Sequence, residues 1–308
     1  MSSAVVFAYH NVGARCLRVL LARGIRVPLV ITHTDNPDET IWFASVARIA
    51  AEHGIRCIMP DDPNAPEIVA EVAAAEPDFL FSFYYRAMLK KPLLDIPRRG
   101  ALNMHGSLLP KYRGRVPINW AIIRGETETG ATLHYMTEKP DNGDIVLQQA
   151  VPILPDDTAQ EVFDKVTVAA EIALHHALPA LVAGDAPRTA QDLTFGGYFG
   201  GRKPEDGRIE WTGSSADIHN LVRAVAPPYP GAFSEIGPGR LVVHRTQVVE
   251  FGREATTRSP ALHAQDGHLY AECGRGTLEI LACLLDDAPL TAAGFDTRFG
   301  AGNRIALE

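Results

Sequence analysis

Hydrophobic positions along the first 150 residues follow two periods in turn. Short apolar runs at Ala4–Tyr9, Val27–Thr32, Arg56–Met59, Asp78–Tyr84 and Ala101–Met104 read as buried strands. Between them lie stretches with helical spacing. Arg15–Arg23 carries Leu17, Leu20 and Leu21 on one face and stops at Gly24, Glu39–His53 is closed by Gly54, and Pro66–Ala75 makes a third helix. Such alternation implies βαβ crossovers, which place helices on both faces of a mostly parallel sheet.

Two further strands, Ala131–Met136 and Ile145–Ile153, flank the turn Pro140-Asp141-Asn142-Gly143-Asp144. A long helix over Thr158–Val182 follows, with Val162, Val166, Ala169, Ala173 and Ala177 on one face, and Gly184 ends it. The stretch 195–208 holds five glycines and a proline without apolar periodicity, so it reads as a linker. Beyond it, one short helix (Ser215–Ala226) precedes strand-like runs at Leu241–Val249, Ala261–Gln265, Leu269–Cys273 and Leu278–Leu284. The expected fold class is therefore α/β: a Rossmann-like catalytic domain over 1–194, a linker over 195–208, and a small OB-like β-barrel domain over 209–308.

Composition adds a few exclusions. The chain has 308 residues with 46% hydrophobic and 21% charged side chains, ordinary globular usage that excludes disorder and collagen-like repeats. No apolar run approaches the ~20 residues of a membrane span, and the N-terminus lacks a basic signal-peptide start, so a cytoplasmic protein without membrane attachment is expected. Four scattered cysteines show neither a disulfide framework nor metal-ligand spacing, so reduced thiols and no metal are expected. A net charge of −8 supplies no global basic field for nucleic acid.

Candidate chemistry concentrates in Ala101–Gly114, ALNMHGSLLPKYRG, which leaves a strand into a polar loop. Ligands of open parallel sheets bind at the carboxyl ends of strands, so this exit is well placed for a site. Asn103 and His105, two apart, point to one side of the strand and offer an amide donor and a base titrating near neutrality. On the residues alone, Asn103 as a loop cap and His105 as a satisfied core histidine stay open, as does a plain hairpin turn for Asp141–Asp144. An Asp beside a His would fix its tautomer and favour its protonated form. Other templates fail: Gly13 stands alone after the first strand, and neither a P-loop nor a GxSxG elbow is present. Ser107 is no nucleophile elbow, and His175-His176, Lys90-Lys91 and Arg98-Arg99 read as solvated surface.

HGSLLPKYRG, followed by Pro117-Ile118-Asn119-Trp120, Glu128-Thr129-Gly130 and the distal segment Ile218–Phe233, closely resembles the 10-formyltetrahydrofolate-dependent formyltransferase family over both domains. Within it, FAYHNVG, THTDNP and FSFYYR are most similar to the branch that formylates UDP-4-amino-4-deoxy-L-arabinose for lipid A modification. The resemblance implies catalytic Asn103, His105 and Asp141, with Asn103 holding the oxyanion, His105 moving the proton and Asp141 holding the His105 ring. It implies 10-formyltetrahydrofolate as formyl donor, lying along Ala87, Met88, Leu89 and the backbone of Thr137, Glu138, Lys139, Pro140 and Asp141, with Arg115 nearby. Lys111 and Arg113 would reach the phosphates of a nucleotide sugar, or simply face solvent. A separate UDP-glucuronate decarboxylating dehydrogenase is the implied pathway partner. Competing acceptors are methionyl-tRNA, which the acidic balance disfavours, and a dTDP-linked amino sugar; a folate or nucleotide-sugar binding module is the non-enzymatic alternative.

Overall fold

The computed structural model describes residues 1–37, 41–249 and 259–307. The chain divides into two compact units, one of Met1–Pro117, Glu128–Pro152 and Asp164–Gly200, the other of Ile118–Thr127, Ile153–Phe163 and Gly201–Glu308. The first unit contains β1 (Ser3–Ala8), β2 (Arg26–Ile31), β3 (Arg56–Ile58), β4 (Phe79–Phe83), β5 (Ala101–His105), β6 (Arg113–Gly114), β7 (Glu128–Tyr135), β8 (Ile145–Pro152) and β9 (Tyr198–Phe199). Among the described residues, seven of these form one sheet in the order β3-β2-β1-β4-β5-β7-β8, and β6 pairs with β9 apart from it.

From β3 to β5 every pairing is parallel. A strand buried on both faces needs an unbroken apolar run, and both β1 and the FLFSF run of β4 are buried at every position. The sheet turns antiparallel at β7 and β8; for β8 the connection from β7 is too brief for a crossover. At the sheet's edge, β8 alternates half-buried and exposed positions from Leu147 to Pro152.

Helices α1 (His10–Ala22), α2 (Val46–Glu52), α3 (Pro66–Ala74), α4 (Lys91–Leu94), α5 (Pro117–Ile123) and α6 (Ala159–Ala183) connect or follow the strands. α1 begins five residues before the apolar spacing predicts, because its first turn, HNVGA, carries no leucine stripe. Gly13 in that turn lies against Ala8 and the Phe83 carbonyl, at contacts of 3.1–3.2 Å for an added Cβ, so it serves close helix–strand packing. α2 is shorter than predicted. Ser45 Oγ accepts from the Arg48 N–H and starts the helix at Val46; the predicted positions Glu39 and Thr40 lie outside the described residues.

α6 matches its predicted span to within a residue. Thr158 and Glu161 form a reciprocal capping box at its start, with bonds of 2.7 and 3.3 Å. By length and composition α6 could cross a membrane, which corrects the expectation that no segment could; half of the apolar stretch is buried within the protein, and Glu171 on the helix pairs with Arg15 at 2.7 Å.

The second unit holds α7 (Ser215–Ala224), β10 (Ala232–Ile236), β11 (Gly239–Val249), β12 (Ala261–Gln265), β13 (His268–Glu272), β14 (Thr277–Leu285), β15 (Ala288–Pro289), α8 (Ala292–Phe299) and β16 (Arg304–Ala306). Its strands form an antiparallel sheet, β10-β11-β14-β13-β12-β16, with β15 beside β14. Trp211, Val222, Leu241, Val243, Leu262, Leu278 and Phe295 fill its core. β10, β15, β16 and α8 were not predicted, being short or lacking a clear apolar period. α7 ties the 153–157 segment to this unit: His219 Nε2 lies 3.0 Å from the Pro155 carbonyl and Arg223 donates to the Asp157 carbonyl at 3.0 Å. Asn119 joins it by donating to the Ala224 carbonyl at 2.7 Å.

Burial governs thiol chemistry, since the thiolate is the nucleophile. Burial pushes the Cys16 thiol far up, Cys273 to about 12 and Cys283 to about 11, whereas Cys57 is only half-buried and raised less. Iodoacetamide at pH 8 should therefore label Cys57 first in the folded chain, with the other three reacting only on denaturation. Peptide mass mapping that finds Cys16 or Cys273 alkylated first would contradict this packing.

Candidate active site

β5 delivers Asn103 and His105 to the same side of the sheet, and β7 runs against it with His134 opposite Asn103 and Thr132 opposite His105. The loop leaving β5 is pinned to its neighbours by a small polar net. Thr132 Oγ1 donates to the Ser107 carbonyl at 2.6 Å and accepts from the Leu109 N–H at 3.1 Å, while Gln148 Nε2 donates to the Leu109 carbonyl at 2.9 Å. Ser107 is fully buried and bonds the Lys111 carbonyl at 2.6 Å, so it shapes the loop. At Gly106 an added Cβ would meet Tyr84 Oη, so a side chain there would have to displace the Tyr84 ring.

Asp141 is the centre of the site. Its Oδ1 lies 3.5 Å from both His105 Nδ1 and His134 Nε2, and its Oδ2 accepts from the Gly114 N–H at 2.8 Å. Burial opposes ionisation of this carboxyl, yet His105, His134 and the Gly114 N–H outweigh it and hold the group well below the usual carboxylate range. The side chain is 11% exposed, and His105 and His134 less.

Both histidines have one nitrogen fixed by a carbonyl. His105 Nε2 lies 2.8 Å from the Tyr112 carbonyl, and His134 Nδ1 lies 2.8 Å from the Tyr135 carbonyl. A carbonyl only accepts, so both nitrogens carry hydrogen. His105 is thereby left with Nδ1 towards Asp141. His134 Nε2 is 3.2 Å from Asn103 Nδ2: as a neutral ring it accepts the Asn103 amide proton, and as a charged ring it donates to Asp141. The carboxamide keeps a second N–H for another acceptor.

Asp141 has its backbone in the left-handed region at φ +54°, a conformation that a non-glycine residue keeps only when its surroundings impose it. Gln191 imposes it, donating Nε2 to the Asp141 carbonyl at 3.0 Å and to the Gly143 carbonyl at 2.6 Å. Arg113 adds a bond to Asn142 Oδ1 at 3.0 Å. Gly143 is required there, because a Cβ would collide with the Tyr135 carbonyl.

Asn103, His105 and Asp141, predicted from two separated segments, thus come together. His134 and Gln191 escaped sequence reasoning. His134 had a weak signal, a polar residue in the apolar run Ala131–Met136, whereas Gln191 sits in a stretch with no period to mark it. Of the other predicted residues, Leu89 is buried and Met88 is 55% exposed. Asn64 bonds both the Met88 carbonyl and the Lys90 N–H, at 2.9 and 2.7 Å. Ala87 and Met136 pack on the same core cluster as Leu89, which makes the Ala87–Leu89 ribbon a neighbour of the segment entering Thr137, Glu138, Lys139 and Pro140. Arg115 and Lys111 are exposed, and the Arg113 guanidinium is engaged by Asn142. Among the described residues no group of three His, Cys, Asp or Glu side chains converges as a metal site.

Residues 20–178 match the family model described as formyl transferase, and residues 202–299 match that of the formyl transferase C-terminal domain. The chain is similar in structure to the N-formyltransferase from Helicobacter canadensis solved with folinic acid and dTDP-3-aminofucose, at 19% identity and a TM-score of 0.70, covering 91% of this chain and 99% of that one. It is also similar to WlaRD, a sugar 3N-formyl transferase solved in the presence of dTDP and 5-N-formyl-THF, at 18% identity and 0.69, covering 91% and 97%. HypX from Aquifex aeolicus with tetrahydrofolic acid matches at 18% identity and 0.62, over 97% of this chain and 47% of that one. At such identities the likeness to these structures is one of fold.

Two outcomes test the site. Because the Asp141 pKa is depressed in the folded state, its contribution to stability is present above the unfolded carboxyl value of about 3.9 and is lost as pH falls through and below it. Urea melts should show Asp141→Asn less stable than the parent at pH 6, with the difference shrinking below about pH 4; a pH-independent difference would count against the buried ion cluster. Gln191→Ala should lower stability by about 1–2 kcal/mol for two lost bonds and speed amide exchange at residues 142–144. Unchanged exchange there would remove Gln191 from its role.

Proposed function

Because this chain belongs to the formyl transferase family and is a formyl-transferring enzyme, we propose that it moves the formyl group of 10-formyltetrahydrofolate to the 4-amino group of a UDP-linked amino sugar, UDP-4-amino-4-deoxy-L-arabinose. The observation that carries the reading is the buried Asp141 carboxylate beside His105, with Asn103 linked to it through His134. FAYHNVG, THTDNP and FSFYYR support the acceptor, and the net charge of −8 weighs against tRNA. A dTDP-linked amino sugar is the second reading, favoured by the dTDP ligands of two structurally similar proteins. The antiparallel sheet of the second unit is compatible with the small barrel domain expected of the family.

In this reaction the neutral sugar amine attacks the formyl carbon and forms the new C–N bond, and the carbonyl electrons move onto oxygen. Asn103 offers its amide N–H to that oxyanion. Collapse breaks the bond to the folate nitrogen, releasing tetrahydrofolate. His105 takes the proton lost by the amine and returns one to the leaving nitrogen, with Asp141 holding the charge of the ring between the two events. Folate lies along Ala87, Met88 and Leu89 and the Thr137–Asp141 backbone, beside Arg115.

A mass-spectrometric assay offers the full chain 10-formyltetrahydrofolate with UDP-4-amino-4-deoxy-L-arabinose, a dTDP-4-amino sugar and methionyl-tRNA together. The formylated UDP sugar is the expected product; the dTDP product would establish the second reading, and formyl-methionyl-tRNA would overturn both. Asn103→Ala should lower kcat by about 10²–10³ while folate affinity holds, the loss typical of one oxyanion donor. Unchanged turnover would sink that role.

A further inference from the structure

The stretch from Gln191 to Phe199, QDLTFGGYF, shows no apolar period, yet it is bonded to the reacting part of the first unit at both of its ends. At its start, Gln191 Nε2 spans the Asp141 and Gly143 carbonyls at 3.0 and 2.6 Å. The chain then closes a small turn of its own: Asp192 Oδ1 accepts from the Thr194 N–H at 3.0 Å and from its hydroxyl at 2.6 Å, and the Asp192 carbonyl accepts from the Phe195 N–H at 3.1 Å. Past that turn the backbone lies flat on the loop that leaves β5. Gly196, at φ +86°, sits where a Cβ would collide with the Pro110 carbonyl.

At its far end the stretch becomes β9 and pairs with β6. The Arg113 N–H donates to the Gly197 carbonyl at 3.0 Å, and the Arg115 N–H to the Phe199 carbonyl at 2.9 Å. In a parallel pairing alternate residues bond the neighbouring strand. With Arg113 and Arg115 both bonded to β9, the Gly114 N–H between them is turned the other way, and there it meets Asp141 Oδ2 at 2.8 Å. A pairing of two residues is too short to stand by itself. What seats it is a ring contact, Phe199 against Tyr112 with centres 5.0 Å apart.

Resting on the reading in which His105 moves the proton while Asp141 holds its ring, we propose that Gln191 and Phe199 are positioning residues of formyl transfer, fixing Asp141 from one segment at two points. Gln191 holds its backbone. Phe199, through β9 and the Gly114 N–H, holds its carboxylate. Together they set where that carboxylate stands against His105 Nδ1, 3.5 Å away. A displaced carboxylate leaves the imidazole free to turn from the direction in which its proton must travel, and errors of this kind reach turnover before they reach binding.

A double-mutant cycle separates positioning from mere support. Phe199→Ala should lower kcat by about 10- to 100-fold, the range of a misplaced reacting group. KM for 10-formyltetrahydrofolate and for the acceptor should stay within about twofold, while amide exchange at Gly114 speeds by about tenfold as its bond to the carboxylate loosens. In an Asp141→Asn background, followed over single turnovers by mass spectrometry, the same substitution should cost no further kcat, because the charge whose place it sets is gone. Phe199→Tyr keeps the ring and should keep the parental kcat. Equal losses in both backgrounds, or unchanged Gly114 exchange, would overturn the assignment of Phe199.

Phe199 is half-buried, so Phe199→Ala is expected to fold, and circular dichroism checks it; if it does not, Gln191→Ala, which removes no ring packing, carries the same cycle. Exchange needs no acceptor, which separates this inference from the reading beneath it. Faster exchange at Gly114 in a chain that formylates none of the three acceptors leaves the positioning standing and the function fallen. A parent that formylates, with Phe199→Ala and Gln191→Ala both at the parental kcat, gives the reverse.

Discussion

Everything in the first unit is arranged to keep one carboxylate ionised out of water. Asp141 would lose its charge to burial unless its surroundings repaid the loss of solvation, and three groups from separate stretches of chain do so: His105 from β5, His134 from β7 and the Gly114 N–H from the loop between them. None of these can be supplied by Asp141's own neighbours in sequence. The loop must therefore turn back on the sheet, which it does through a left-handed Asp141 and a side-chain-free position at Gly143. A strained turn of this kind persists only if something outside it fixes the backbone, and Gln191 does so with a single nitrogen shared by two carbonyls.

β7 runs antiparallel to β5 and leaves the sheet beside Ala101, at the opposite end of β5 from His105, so the segment after it must turn back to bring Asp141 to the histidines. An antiparallel β7 places His134 directly opposite Asn103 and lets the short segment after it fold back to His105. The same choice leaves β8 as an edge with alternating exposure, whose Gln148 reaches across to hold the loop that carries Lys111 and Arg113.

The parallel core was legible because strands buried on both faces are written as largely apolar runs, as β1 and β4 are; β2 adds only an exposed Arg26 at its start, and β5 is broken by Asn103 and His105. α6 was legible for a related reason: a helix of 25 residues repeats its apolar face often enough to be seen. What escaped were the elements whose position is set by tertiary bonds. α2 starts where Ser45 caps it, the first turn of α1 packs through Gly13 without a leucine stripe, and β10, β16 and α8 are too short to show a period. The site divides in the same way. Asn103 and His105 announce themselves by spacing on one strand, but spacing does not join them to Asp141; the family resemblance does. Gln191 acts through its reach, and nothing local in a sequence records where a side chain will arrive.

The bonds of His105 carry the argument one step further. Its Nε2–H is directed at the Tyr112 carbonyl and its Nδ1 at Asp141, so both ring nitrogens face acceptors within the protein. For the ring to meet a substrate nitrogen, as the proposed reaction requires, one of these two partners must give way. The Tyr112 carbonyl is the exchangeable one, because it belongs to the loop after β5, whereas Asp141 is fixed by Gly114 and, through its backbone, by Gln191. In the proposed reaction the amine would therefore meet His105 on the Tyr112 side of the ring.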